Sequence, residues 1–191
     1  MMKIKAFVVL ICFALTVAVS AQQSAYDASV HTMLTAAING DLLTIQRLLK
    51  SGVYVNERDP FFTMMTPLMA AAQSGNVDTA LFLLENGADP NQVDQLGRTP
   101  IALAARAGRY RAVKVLTDVG CDVNRADVFG KTPLMCAAAR GCSVSIIYLF
   151  DAGADTMATC INGLLAKDYA KTSGNIEAIK LVAGISVRSD Y

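Results

Sequence analysis

Along most of the chain, short apolar runs alternate with polar turns at a fixed spacing. Leu68, Ala70 and Ala71 return as Leu134, Cys136 and Ala137, while a second set reads Ala80, Leu81, Leu83 and Leu84, then Val113, Val115 and Leu116. Apolar positions grouped within two turns and followed by glycine predict short helices with one packed face. The first set is preceded each time by threonine and proline, at Thr66 and Pro67, Thr99 and Pro100, and Thr132 and Pro133. A threonine oxygen at the N-cap and the fixed φ of proline behind it predict helices starting at Pro67, Pro100 and Pro133. Gly75, Gly108 and Gly141 are placed to end them, because a left-handed C-terminal residue is tolerated best without a Cβ. A second helix follows each, with its apolar positions toward the stack, and ends at Gly87, Gly120 or Gly153.

Corresponding residues lie 33 apart, and Asp89, Asp122 and Asp155 share one column, as do Asp94 and Asp127. A period of this size marks stacked supersecondary units, each unable to bury its apolar side alone. The segments TPLMAAAQSG with ENGADPN, TPIALAARAG with DVGCDVN, and TPLMCAAARG with DAGAD resemble the ankyrin repeat over about residues 25–183. The resemblance implies an all-α ankyrin-repeat solenoid of about five stacked helix-turn-helix units with hairpin loops, at 25–58, 59–94, 95–127, 128–160 and 161–185. The first unit is degenerate but keeps Ala36, Ala37, Gly40, Leu48, Leu49, Gly52 and Asn56, with two residues inserted before Thr66. Its His31 falls in the column of Thr66 and is expected near a helix start, capping it or lying on the surface. The last unit lacks the threonine and proline, and its polar composition suits a terminal cap facing water. Met69, Ala102 and Met135 stand where the family usually has a histidine, which leaves the hydrogen bonding of the helix starts open.

The resemblance further implies a noncatalytic protein-interaction module that binds on the concave face formed by hairpin tips and first helices. Carried over column by column, the candidate binding residues are Phe61, Phe62, Met65, Gln73, Leu96, Arg98, Arg106, Phe129, Lys131 and Arg140. The lengthened tip at 60–65 reads either as an interaction patch or as a seal between the first two units. Arg98, Arg106, Lys131 and Arg140 read either as a cationic strip favouring an acidic and apolar partner or as solvated charges paired with nearby carboxylates.

The stretch 6–19 breaks the pattern, with only Thr16 polar in a run preceded by Lys3 and Lys5 and followed by Ser20 and Ala21. This predicts a secretory signal peptide over 1–21, cut after Ala21, and an ankyrin-repeat domain over 22–191. The run is shorter than the about 20 residues a spanning helix needs, so no membrane span is expected after cleavage. Export to a periplasm is expected, with secretion outside the cell as the alternative; no Asn-x-Ser/Thr sequon occurs, which favours a bacterial exported protein. A composition 53% hydrophobic and 17% charged excludes a disordered chain. With 17 basic against 16 acidic side chains, bulk charge offers no argument for nucleic acid. The single histidine, the absence of tryptophan and the irregularly spaced cysteines give no metal or nucleophile pattern, so no catalytic residue, metal or cofactor is expected. Cys121 and Cys136 are expected to be neighbours, either bridged or as buried thiols. The expected partner is a protein, bound by a monomer. The alternatives are a secreted effector acting on a host or neighbouring-cell protein, and a self-assembling structural protein.

Overall fold

The computed structural model describes residues 2–61 and 64–188, with side chains over 19–61 and 64–184. Its elements are α1 (Met2–Asn39), α2 (Leu42–Lys50), α3 (Pro67–Ser74), α4 (Val77–Glu85), α5 (Pro100–Ala107), α6 (Tyr110–Asp118), α7 (Pro133–Arg140), α8 (Ser143–Asp151), α9 (Ala166–Ser173) and α10 (Ile176–Arg188). Among the described residues there is no strand. The fold is an ankyrin-repeat solenoid. The C-terminal part of α1 and then α3, α5, α7 and α9 pack side by side as one row, and α4, α6, α8 and α10 form a second row behind them.

The predicted helix starts are where the sequence places them. The hydroxyls of Thr66, Thr99 and Thr132 accept from the amides of Met69 (3.3 Å), Ala102 (3.4 Å) and Met135 (3.4 Å). At the first of these the missing histidine is replaced by the Met69 sulfur, which accepts from the Thr66 amide at 3.5 Å. Gly75, Gly108 and Gly141 end α3, α5 and α7 in the left-handed conformation. The last unit starts without threonine or proline, and Asp168 compensates by accepting from the Leu165 amide at 3.1 Å.

One buried cluster runs the length of the array, from Val30, Met33 and Leu34 through Leu68, Leu103 and Leu134 to Ala178 and Val182. Alanines fill its tightest columns: Ala71, Ala104 and Ala137 are fully buried and let the inner row approach closely. Two second-row expectations are corrected. Leu81 is exposed and Val115 only half-buried, whereas Ala80, Leu83, Val113 and Leu116 are buried. At about 100° per residue, positions three apart share the inner face and the residue between them points away.

His31 also departs from expectation. It lies deep inside α1, not at a helix start, because no glycine or proline interrupts residues 2–39. The first unit therefore shares a helix with the apolar run that precedes it. Val19 to Ala25 are exposed, and among the described side chains of this helix Tyr26 is the first to pack against the core.

Neighbouring units are tied by side chains that reach the next backbone. Asn56 and Asn124 each bind two backbone groups across a seam: Asn56 donates to the Gly87 carbonyl and accepts from the Asp89 amide, and Asn124 does the same with Gly153 and Asp155. Asn91 accepts from the Asp122 amide at 2.8 Å. At the opposite end of the inner helices, Asn76 donates to the carbonyls of Ala37 and Ile38, Arg109 to that of Gln73, and Asn175 to that of Gly141. Cys142 occupies the same column and instead accepts from the Ser145 hydroxyl at 3.1 Å. Among the described residues no helix is long and apolar enough to cross a membrane.

Candidate functional site

The hairpin tips at 94–98 and 127–131 are each closed by an acidic residue. Asp94 Oδ1 accepts from the amides of Leu96 and Arg98, both at 2.9 Å, and Asp127 Oδ1 does the same for Phe129 and Lys131. Backbone rungs from Asp94 to Arg98 and from Asp127 to Lys131 complete these tips. Successive tips also share backbone bonds, Val128 N–H to the Leu96 carbonyl (2.9 Å) and Ile161 N–H to the Phe129 carbonyl (3.1 Å). The wall they form is continuous.

Behind this wall lies a groove of about 450 Å³ between the tips and the inner helices of the third, fourth and fifth units. Six of the sequence candidates line it: Leu96, Arg98, Arg106, Phe129, Lys131 and Arg140. Met135, Cys136, Ala102 and Ala139 make its floor, and Tyr169 closes one end. Lys131 Nζ stands 5.2 Å from the Tyr169 ring centroid, within reach of the ring's negative face.

The four cations differ. Arg98 is clasped by Asp94 through Nε at 2.7 Å and a second guanidinium nitrogen at 2.5 Å, against a carboxylate that is itself buried, so its charge is spent inside the hairpin. Among the described residues, Arg106, Lys131 and Arg140 have no carboxylate oxygen within 4.0 Å. Arg106 and Arg140 occupy the last turns of α5 and α7, where the helix dipole favours a cation without neutralising it. Pairing with carboxylates, one of the two readings of this strip, holds for Arg98 alone.

The other four candidates fall elsewhere. Phe61 is exposed at the first tip, edge-on to the His31 ring with centroids 5.8 Å apart. Phe62 lies outside the described residues. Met65 is not a surface residue: it is only 5% exposed and belongs to the core cluster. It sits just before the N-cap Thr66, and its carbonyl accepts from the Asp59 amide on the return leg of the hairpin. Gln73 is exposed but does not line the groove; its carbonyl anchors Arg109.

Tyr169 was not among the candidates. It stands in the column of Ala70, Leu103 and Cys136, and a large aromatic where earlier units carry smaller side chains is the available signal. Asp59 was also missed, because the two inserted residues displace it from the register of Asp94 and Asp127.

Cys121, Cys136, Cys142 and Cys160 are free thiols. Burial pushes the Cys136 thiol up to about 11, with Asp127 adding to it against Lys131, Arg106 and Arg98. Burial likewise pushes Cys121 up to about 12, helped by Asp122. Burial, and then the Cys160 thiol, raise the Tyr169 hydroxyl to about 12. Near neutral pH these groups are uncharged, so Cys136 and Tyr169 line the groove without adding charge. Among the described residues no group of three or more histidine, cysteine, aspartate or glutamate side chains is placed to hold a metal ion.

Residues 33–127 match the family model described as ankyrin repeats (3 copies). No curated protein matches the chain. Ankyrin repeats indicate a protein–protein interaction module. The same unit geometry continues past the matched span through α7, α8 and α9, and it is this continuation that supplies Phe129, Lys131, Arg140 and Tyr169.

Proposed function

We propose that the chain is an exported, noncatalytic ankyrin-repeat module that grips a protein partner in the groove between the hairpin tips and inner helices of its last three units. One observation carries the reading: three successive units bring exposed apolar tips and three carboxylate-free cations to one concave surface. Stacking and the shared backbone bonds hold that surface in place before a partner arrives, so little ordering cost falls on binding. Asp94 and Asp127 are committed to hairpin amides, and two of the thiols hold their protons far above neutral pH. Export is supported by the charged and apolar leader pattern together with the exposure of residues 19–25, since a cut after Ala21 leaves Tyr26 and everything packed behind it intact.

Affinity capture from the envelope fraction of the producing cell, with wild type against a Phe129→Ala, Lys131→Ala variant, tests the binding reading. A specific protein retained by the wild type and lost by an equally stable variant supports it; the same proteins on both place the site elsewhere. Mass spectrometry of the exported product, expected to begin at Gln22, tests the leader. A product that keeps residues 1–21 overturns that part.

A further inference from the structure

Building on that binding reading, we infer that the groove takes an extended acidic peptide segment in which two carboxylates lie three or four residues from one aromatic or large aliphatic side chain. The charge count comes first. Arg98 and Asp94 cancel within their hairpin, and Arg106, Lys131 and Arg140 face a single lining carboxylate, Asp127, so the groove keeps an excess of two positive charges. Asp127 turns one oxygen to the tip amides of Phe129 and Lys131, and among the described residues neither of its oxygens lies within 4.0 Å of a cation. The chain as a whole carries a formal net charge of only +1, which makes the excess a local property of this surface.

The spacing follows from the helix. Phe129 and Lys131 sit at the hairpin, before Pro133 opens α7, whereas Arg106 and Arg140 sit in the last turns of eight-residue helices. Eight residues of α-helix are about 12 Å long. An extended chain covers that in about four residues. Phe129 and Leu96, both exposed, offer the apolar contact at one end, and the two guanidinium groups offer planar, bidentate donors at the other. A floor of Met135, Cys136 and alanines gives no hydrogen-bond partner to a polar ligand and suits the stem of an aliphatic or aromatic residue. That floor also disfavours a nucleic acid strand, whose phosphates would meet charge on one side only.

Selection of a displayed dodecapeptide library on the full chain, followed by fluorescence anisotropy of the enriched peptides, tests the inference. Enriched sequences are expected to carry two Asp or Glu residues three or four positions from Phe, Tyr, Trp or Leu. Replacing those acids by their amides is expected to weaken binding at least tenfold. An Arg106→Gln, Arg140→Gln chain with unchanged melting is expected to bind the acidic and amide peptides equally. Neutral or basic winners that lose affinity on Phe129→Ala and Tyr169→Ala overturn the acidic partner and leave the groove as the binding site. Winners insensitive to all four substitutions, or no enrichment, overturn both. Displacement of the acidic peptide by a ten-residue oligothymidylate at equal concentration also overturns the inference, because it identifies a site for polyanions in general.

Discussion

The first and second hairpins perform the same closure with different parts. At 94–98 one aspartate satisfies two tip amides and holds Arg98, four residues on, within the same turn. At 59–65 the hairpin is two residues longer, and among the described residues Asp59 accepts from the Phe61 amide at 2.7 Å. Its second oxygen turns to His31 of α1, 2.6 Å away. Met64 adopts a left-handed φ of 57°, a conformation that the shorter tips assign to Gly97 and Gly130. A local clasp has become a link between two units. The lesson is that the acidic column is structural, and that its cationic partner decides how much charge is left for the surface: Arg98 is consumed, whereas Lys131, in the same position of the next hairpin, turns to Tyr169 and stays available.

The sharpest break of this comparison is Asp94→Ala. It leaves Arg98 half-buried without its carboxylate and two amides without an acceptor, and unfolding in urea is expected to show a loss of about 3 to 5 kcal/mol. Gly130→Ala comes next. A Cβ there meets the Cys160 Cα and Ile161 N at 3.0 Å while φ is +73°, so the left-handed penalty adds to a backbone displacement, about 3 kcal/mol in all. Gly153→Ala, with a similar φ and open space around it, isolates the conformational part at about 1 to 2 kcal/mol. If the two variants melt together, the tip-to-tip contact is not tight.

His31→Ala ranks below these, because its side chain is 44% exposed and solvent screens the pair. A loss of about 1 to 2 kcal/mol is expected from the buried Asp59 oxygen left without this partner. Hydrogen exchange should place the change at residues 56–61 and not at the later tips. The smallest effect over the working range concerns the thiols. In the unfolded chain they titrate near 9.0, whereas burial holds Cys136 to about 11 and Cys121 to about 12 in the fold. The stability tied to these protons is whole below pH 9 and is lost as pH rises toward 11 and 12. Denaturant midpoints should therefore be insensitive to Cys121→Ser and Cys136→Ser in their pH slope below 9, and less steep in both variants above it.

Much of the fold was legible because its punctuation is local. A threonine hydroxyl, a proline and a left-handed glycine act within four residues, so Pro67, Pro100 and Pro133 could be placed as helix starts from the sequence. Contacts that depend on what lies across a seam were less legible. Met65 reads as a tip residue by column and turns out to be core, since the direction of the return leg is set by the rung between Asp59 and Met65. Phe61 shares the tip position of Leu96 and Phe129, yet the groove is built where units three to five supply Phe129, Lys131 and Tyr169 together. The uninterrupted helical propensity of residues 2–39 hid the start of the first unit, because a chain with no breaker gives no boundary to read.

The column at the far end of the inner helices holds a last consequence. Asn76, Arg109 and Asn175 each stitch their unit to the one before, and Cys142 does not. Of the four joints, the one between α5 and α7 is missing that stitch, and it runs directly beneath Arg106 and Arg140. That joint is held at its other edge by Asn124 and by the Val128-to-Leu96 backbone bond, so a guest lodged between Arg106 and Arg140 would add a thread on the one edge that lacks it.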